Sequence, residues 1–148
     1  MFVVTGSPLL PFVDAFKAAL KADAALMAVI EGVFGHLKET ARQAYPYIVL
    51  GRRTKAGDEG PMGLAGGRFT MQLDGWSNHQ GASEMHVMLG HVFRVMERRA
   101  LVVSGFDLIR GSLTCEYEDV FDEPDPDTPT RTLYHGVQRW ACEIHETS

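Results

Sequence analysis

Hydrophobic and polar positions alternate along this chain with two different periods. From Phe12 to Ala22 the period is helical: Val13, Phe16, Ala19 and Leu20 form one stripe, and Asp14, Lys17 and Lys21 lie off it. Pro11 just ahead suits a helix start, because its missing N–H has no partner to lose there. Asp23 reads as the N-cap of a second helix over 24–31, with Leu26, Met27, Val29 and Ile30 on its apolar side and Gly32 as its stop. The period then shortens. Residues 33–37 form a short strand. Pro46 marks a break, and the β-branched and aromatic run over 47–53 is a stronger strand. Phe69, Met71 and Leu73 alternate with Thr70, Gln72 and Asp74, which predicts a half-buried strand over 68–76. Residues 77–80 form a turn. Over 82–100 the helical period returns through Met85, Met88, Leu89, Val92, Val95, Met96 and Arg99, with Phe93 beside them. Two more strands are expected, over 106–119 and 132–145. The first places Leu113, Cys115 and Tyr117 on one face and Thr114, Glu116 and Glu118 on the other. The second aligns Tyr134, Trp140, Cys142 and Ile144.

The resulting order is α-α-β-β-β-α-β-β. Strands follow one another without repeated βαβ units. The expected class is therefore α+β, a mostly antiparallel sheet with helices packed on one face. The 148 residues are expected to form one domain, with an N-terminal arm (1–11), a Gly-rich loop (55–67) and an acidic, Pro-rich loop (119–131).

Charge changes the picture locally. The formal net charge is −5, which argues against a general nucleic-acid binder. The asymmetry is concentrated: residues 116–127 hold seven carboxylates and no base, while the rest of the chain has 14 basic and 12 acidic residues, a balance of +2. An apolar fraction of 45% and a charged fraction of 22% are ordinary for a folded domain. No basic leader and no run of about 20 apolar residues is visible, so the reading is a soluble protein made in the cytoplasm, without a membrane partner. Cys115 and Cys142 lie 27 positions apart with no CxxC spacing, consistent with a reduced compartment and packed thiols.

Candidate chemistry is sparse. Six histidines (36, 79, 86, 91, 135 and 145) raise a metal site, but His86 and His91 are five apart on a helix and point to different faces. His135 and His145 are ten apart on a strand, more than about 30 Å at roughly 3.3 Å per residue. The acidic run invites a calcium loop, yet counting from Asp122 the twelfth residue is Leu133 and no Gly intervenes. It reads instead as a solvated strand end and loop, extended by self-repulsion and by Pro124, Pro126 and Pro129. The glycines at 57, 60, 63, 66 and 67 open no GxGxxG or GK[ST] motif, and no GxSxG is present. No catalytic, cofactor or metal residue is assigned.

Several separated segments read together: Leu20-Lys21-Ala22-Asp23-Ala24-Ala25-Leu26, Ala44-Tyr45-Pro46-Tyr47-Ile48-Val49-Leu50-Gly51, Leu73-Asp74-Gly75-Trp76-Ser77, the long amphipathic helix, and Tyr134-His135-Gly136-Val137-Gln138-Arg139-Trp140. In order and spacing the chain resembles, over roughly 12–145, the tail-completion or tail-terminator proteins of long-tailed bacteriophages, prophages and gene transfer agents. The resemblance implies a structural virion protein, assembled in a bacterial host, and no enzyme. It implies a ring, typically hexameric, that caps the head-proximal end of the tail tube. Partners would be other copies of the chain, the tail-tube protein and head-completion proteins, with DNA only as passing cargo and no cofactor. Glu118, Asp119, Asp122 and Glu123 are the candidate interface residues, since carboxylates suit a protein contact or a DNA-repelling channel wall. A neck, head–tail connector or minor tail protein is the alternative within the same class. A small metal-dependent enzyme using His and Cys is the alternative outside it.

Overall fold

A computed structural model describes residues 9–35, 44–59 and 65–147. The chain runs α1 (Leu9–Lys21), α2 (Ala24–Met27), β1 (Gly32–Phe34), β2 (Tyr47–Glu59), β3 (Ala65–Ser77), α3 (Ser83–Met96), β4 (Phe106–Leu108), β5 (Thr114–Pro124) and β6 (Thr132–Glu146). The strands make one sheet in the order β1-β2-β3-β6-β4, with β5 also paired to β6. β1 pairs parallel to β2 and every other pairing is antiparallel. The α+β class with helices on one sheet face is therefore correct.

Several boundaries differ from the sequence reading, each for a local reason. The expected strand over 106–119 is two strands, because Gly111 takes a positive φ of 76° and turns the chain between them. α2 stops at Met27, so Gly32 is not a helix stop. It opens β1, where the Phe34 ring lies 2.6 Å from the place a Cβ would take. α3 ends at Met96, four residues short of expectation. Glu97 leaves the helical region, and Arg98 adopts a left-handed φ of 58° while its N–H donates to the Leu113 carbonyl at 2.8 Å. Residues 9–11 of the expected arm are already helical, and the rest of the arm lies outside the described residues. The Gly-rich loop is also shorter than expected: 55–59 and 65–67 continue the β2–β3 ladder, from Lys55 opposite Phe69 to Glu59 opposite Ala65. The acidic stretch through Pro124 is strand as well, leaving only 125–131 as connection.

Asp23 caps α2 as expected, accepting from the Leu26 N–H at 2.9 Å. The same carboxylate pairs with Arg94 of α3 at 2.7 Å and so ties two helices together. The Arg94 guanidinium holds the Asp23 carboxyl below its ordinary range.

The core lies between the helices and the sheet. Phe12, Phe16 and Leu20 of α1, Met85, Met88, Leu89 and Val92 of α3, and Phe69, Met71, Leu73, Trp140 and Ile144 of the sheet are buried. Each such side chain contributes about 1.5–3 kcal/mol on burial. Phe16 packs edge-on to Trp140 with ring centroids 5.7 Å apart.

Gly75 and Gly136 sit directly opposite each other on β3 and β6. A Cβ on Gly136 would meet Met85 Sδ at 2.5 Å and Met85 Cγ at 2.8 Å, and one on Gly75 would meet Met85 Sδ at 2.9 Å. The glycine pair is thus the floor on which α3 rests. Gly136→Val is expected to lower unfolding stability by about 1–3 kcal/mol through overpacking. In urea titrations the Gly136→Val/Met85→Ala double variant should lose less than the two single losses combined. Strict additivity would place the clash elsewhere.

Candidate assembly surface

The helix-covered face of the sheet carries a polar network around Gln138. Gln138 is fully buried on β6. Its amide NH2 donates to the Leu89 carbonyl of α3 at 3.1 Å and to Glu118 Oε1 of β5 at 2.7 Å. Its carbonyl oxygen accepts from Trp140 Nε1 at 3.0 Å. One amide therefore joins α3, β5 and β6 and fixes the indole. Nearby, buried Ser77 donates to Glu84 Oε1 at 2.6 Å and accepts from the His79 N–H at 3.2 Å, linking the end of β3 to the first turn of α3. Gln138→Leu would orphan the Trp140 N–H in an apolar layer. A loss of about 1–3 kcal/mol in chemical unfolding, with an altered near-UV Trp signal, is expected.

The opposite face carries polar side chains. On it the His135 ring stacks on Trp76 at 3.9 Å between centroids, meets Phe121 at 4.7 Å, and has Nε2 2.7 Å from Asp74 Oδ1. Further along the strands, Arg52, Thr54, Arg68, Thr70, Gln72, Glu116 and Arg139 line a concavity of about 330 Å³. Arg68 pairs with Glu116, and Arg139 lies over the Tyr117 ring at 5.6 Å.

A bulge in β5 decides where the acidic residues point. Cys115 pairs with Trp140 and Tyr117 with Arg139, so one residue of β5 is unmatched and the alternation reverses. The expected grouping of Cys115 with Tyr117 is wrong for this reason: Cys115 stays on the core side and Tyr117 turns to the open face. The four candidate interface carboxylates are divided as well. Glu118 and Asp122 lie on the helix side, where Glu118 is bonded to Gln138, and Asp119 and Glu123 alternate to the open face. Asp119 accepts from the Tyr117 hydroxyl at 3.1 Å and from the Val120 N–H at 2.9 Å. The four do not form one cluster.

The two thiols occupy neighbouring positions on the core side of β5 and β6 but are not bonded to each other. Burial pushes the Cys142 thiol up to about 12 and raises that of half-buried Cys115. Thiolate is the reactive form, so a thiol reagent at neutral pH should modify Cys115 slowly and Cys142 only after denaturant is added. Equal rates for both in native buffer would contradict this packing. Among the described residues no three His, Cys, Asp or Glu side chains converge to hold a metal ion, and no helix is long and apolar enough to cross a membrane. His36 lies outside the described residues.

Sequence reasoning missed the Gln138 network, the aromatic stack at His135 and the arginine-lined concavity. Strand alternation does place Arg68, Gln72 and Arg139 on polar positions. Their lateral meeting depends on register, which alternation does not give.

A family model described as "Tail completion protein gp17" matches residues 14–141. The chain belongs to this gp17 tail-completion family. It is thus a structural protein of the phage-type virion tail, a class that points away from enzymatic activity. Two solved structures share the fold. One is a chain of the virion of a native gene transfer agent particle, with a TM-score of 0.75 and 17% identity over 93% of this chain and 95% of that one. The other is the gp17 protein of bacteriophage SPP1, with a TM-score of 0.55 and 17% identity over 94% and 90%. A comparison with curated proteins gave no match. Among the described residues of this gp17-family chain, the open sheet face and β5 carry exposed polar side chains, while Val87 and Phe93 of α3 are exposed on the helix side.

Proposed function

We propose that this tail-completion protein is a tail terminator. Copies of the chain close into a ring, a hexamer as the resemblance implies, at the head-proximal end of the tail tube. The ring ends tube polymerisation and offers its outer side to head-completion proteins, and DNA passes through it as cargo. The observation that carries this reading is the family match over most of the chain, in a fold shared over most of its length with a chain of a gene transfer agent virion.

Two structural features support it. β5 is an edge strand of eleven residues with mostly exposed side chains, and among the described residues no second strand pairs with its outer side, where the Cys115 N–H donates to Glu97 and the Val120 N–H to Asp119. An edge of that length invites pairing, and a subunit that covers it with a neighbour through a heterologous contact builds a ring when the rotation closes. The carboxylates on that strand, Glu118, Asp119, Asp122 and Glu123, allow only complementary partners and hold no phosphate. Glu118 has a structural duty toward Gln138, so Asp119, Asp122 and Glu123 are the interface residues to test.

Purified protein added to tail tubes should appear in negative stain as density at one end only, and tube length should stop increasing. Asp119→Asn/Asp122→Asn/Glu123→Gln should retain the monomer fold by circular dichroism and lose this capping. Binding along tube walls, or to portal-bearing heads in place of tubes, would overturn the terminator reading, and the second result would favour a connector.

A further inference from the structure

The concavity on the open face holds more positive charge than its own surroundings neutralise. Arg52, Arg68 and Arg139 come from β2, β3 and β6, and Glu116 is the one carboxylate among the residues lining it. Glu116 is engaged with Arg68. Arg139 is exposed over Tyr117, and Arg52 is exposed without an ion pair among the described residues. Guanidinium groups stay charged at any working pH and present planar, two-pronged donors that match carboxylates. Thr54, Thr70 and Gln72 add neutral polar groups to the same hollow.

The complementary charge lies elsewhere on the same molecule. The far end of the β5–β6 hairpin carries Asp122 and Asp127, both exposed, with no base from 116 to 127 and a single exposed base, Arg131, in the connection. The hairpin cannot bring this end onto the hollow of its own subunit. Thr132, where β6 starts, is seven residues from Arg139, about 23 Å at roughly 3.3 Å per residue. The β5–β6 ladder from Thr114 to Pro124 holds the two strands side by side along that distance. An acidic projection and a basic hollow that cannot meet within one subunit can meet between two.

We infer that the arginine hollow of one subunit receives the acidic β5–β6 hairpin end of the next copy of the chain. The contact joins two different surfaces, so it propagates head to tail, and it closes into the proposed ring when the rotation between copies closes. Opposite charges also steer the two surfaces together and penalise wrong registers. Duplex DNA fits the hollow less well. A duplex needs a row of cations, whereas here the arginines sit in one depression, and Asp74 and Asp119 lie on the same sheet face.

This inference rests on the ring reading above, and the test separates the two. Variant one carries Arg52→Glu/Arg139→Glu, which leaves the Arg68–Glu116 pair in place. Variant two carries Asp122→Lys/Asp127→Lys. Both should fold as wild type by circular dichroism. Mass photometry of the free protein and negative stain of tube ends then read assembly. Each variant alone is expected to weaken association at least about 100-fold. The equimolar mixture should regain rings, because variant two accepts the native hairpin of variant one and variant one accepts the lysine-bearing hairpin of variant two. Wild-type assembly by either variant alone overturns the inference. So does a mixture that stays dissociated, since the two surfaces then do not face each other. If variant one assembles normally but loses salt-sensitive binding to duplex DNA, the hollow belongs to DNA and the inference falls. If the wild type itself forms no ring, free or on tubes, the ring reading falls with it.

Discussion

The closeness of α3 to the sheet is the constraint from which the rest of the molecule follows. Helices normally stand off a sheet by the thickness of two side-chain layers. Here Gly75 and Gly136 face each other across β3 and β6 and remove one of those layers at a single point. Met85 fills that point, and α3 comes close enough for the Leu89 carbonyl to reach the Gln138 amide on β6. A buried amide is costly unless its donors and acceptor are paired. Gln138 meets that condition only because the helix is near and because Trp140 and Glu118 supply the other partners. The glycine pair, the amide and the indole therefore stand or fall together, and they fix the register of β5 on β6 from the core side.

That arrangement also explains why the helices leave one sheet face uncovered. The helices and the apolar alternation of β3 and β6 are spent on a single layer, with Phe69, Met71, Leu73, Trp140 and Ile144 pointing inward. The outward positions carry Arg68, Gln72, Asp74 and Arg139, held by cross-strand pairs such as His135 with Asp74 and stacked on Trp76. Such a face is well ordered without being apolar. It can present charge at fixed positions, which is what a subunit of an assembly needs more than a deep pocket.

Much of this was legible in the sequence, and the rest was not for definite reasons. The buried stripe of α3 from Met85 to Met96 was read residue by residue, because six apolar positions at helical spacing leave one solution. The Asp23 cap and the inward faces of β3 and β6 were equally plain. The end of α3 was not, since Arg98 takes a left-handed conformation that usually signals Gly or Asn and is held by tertiary bonding to Leu113. The acidic run looked like loop because carboxylates and prolines disfavour strands. Pairing with β6 overrides that preference up to Pro124, where proline is tolerated because the edge needs no donor. Of the interface we infer, the acidic half was visible as composition. The basic half was invisible, because Arg52, Arg68 and Arg139 are dispersed over the chain and meet only through two ladders and a register shift between Leu50 and Arg53.

The bulge at Cys115–Tyr117 bears on function most directly. Without it, Tyr117 and Glu118 would exchange faces. Glu118 would leave Gln138 with a donor unpaired, and Tyr117 would be taken from beneath Arg139. One extra residue thus satisfies the buried amide on one face and positions an arginine on the other. It also turns Asp119 and Glu123 to the open face while Asp122 stays beside the helix, so the acidic strand is charged on both sides. A strand charged on both sides is poorly suited to stacking against an apolar layer and resists indiscriminate edge pairing. That is compatible with the docking onto a neighbour's arginines that we infer, in which only a correctly placed copy would offer a complementary surface.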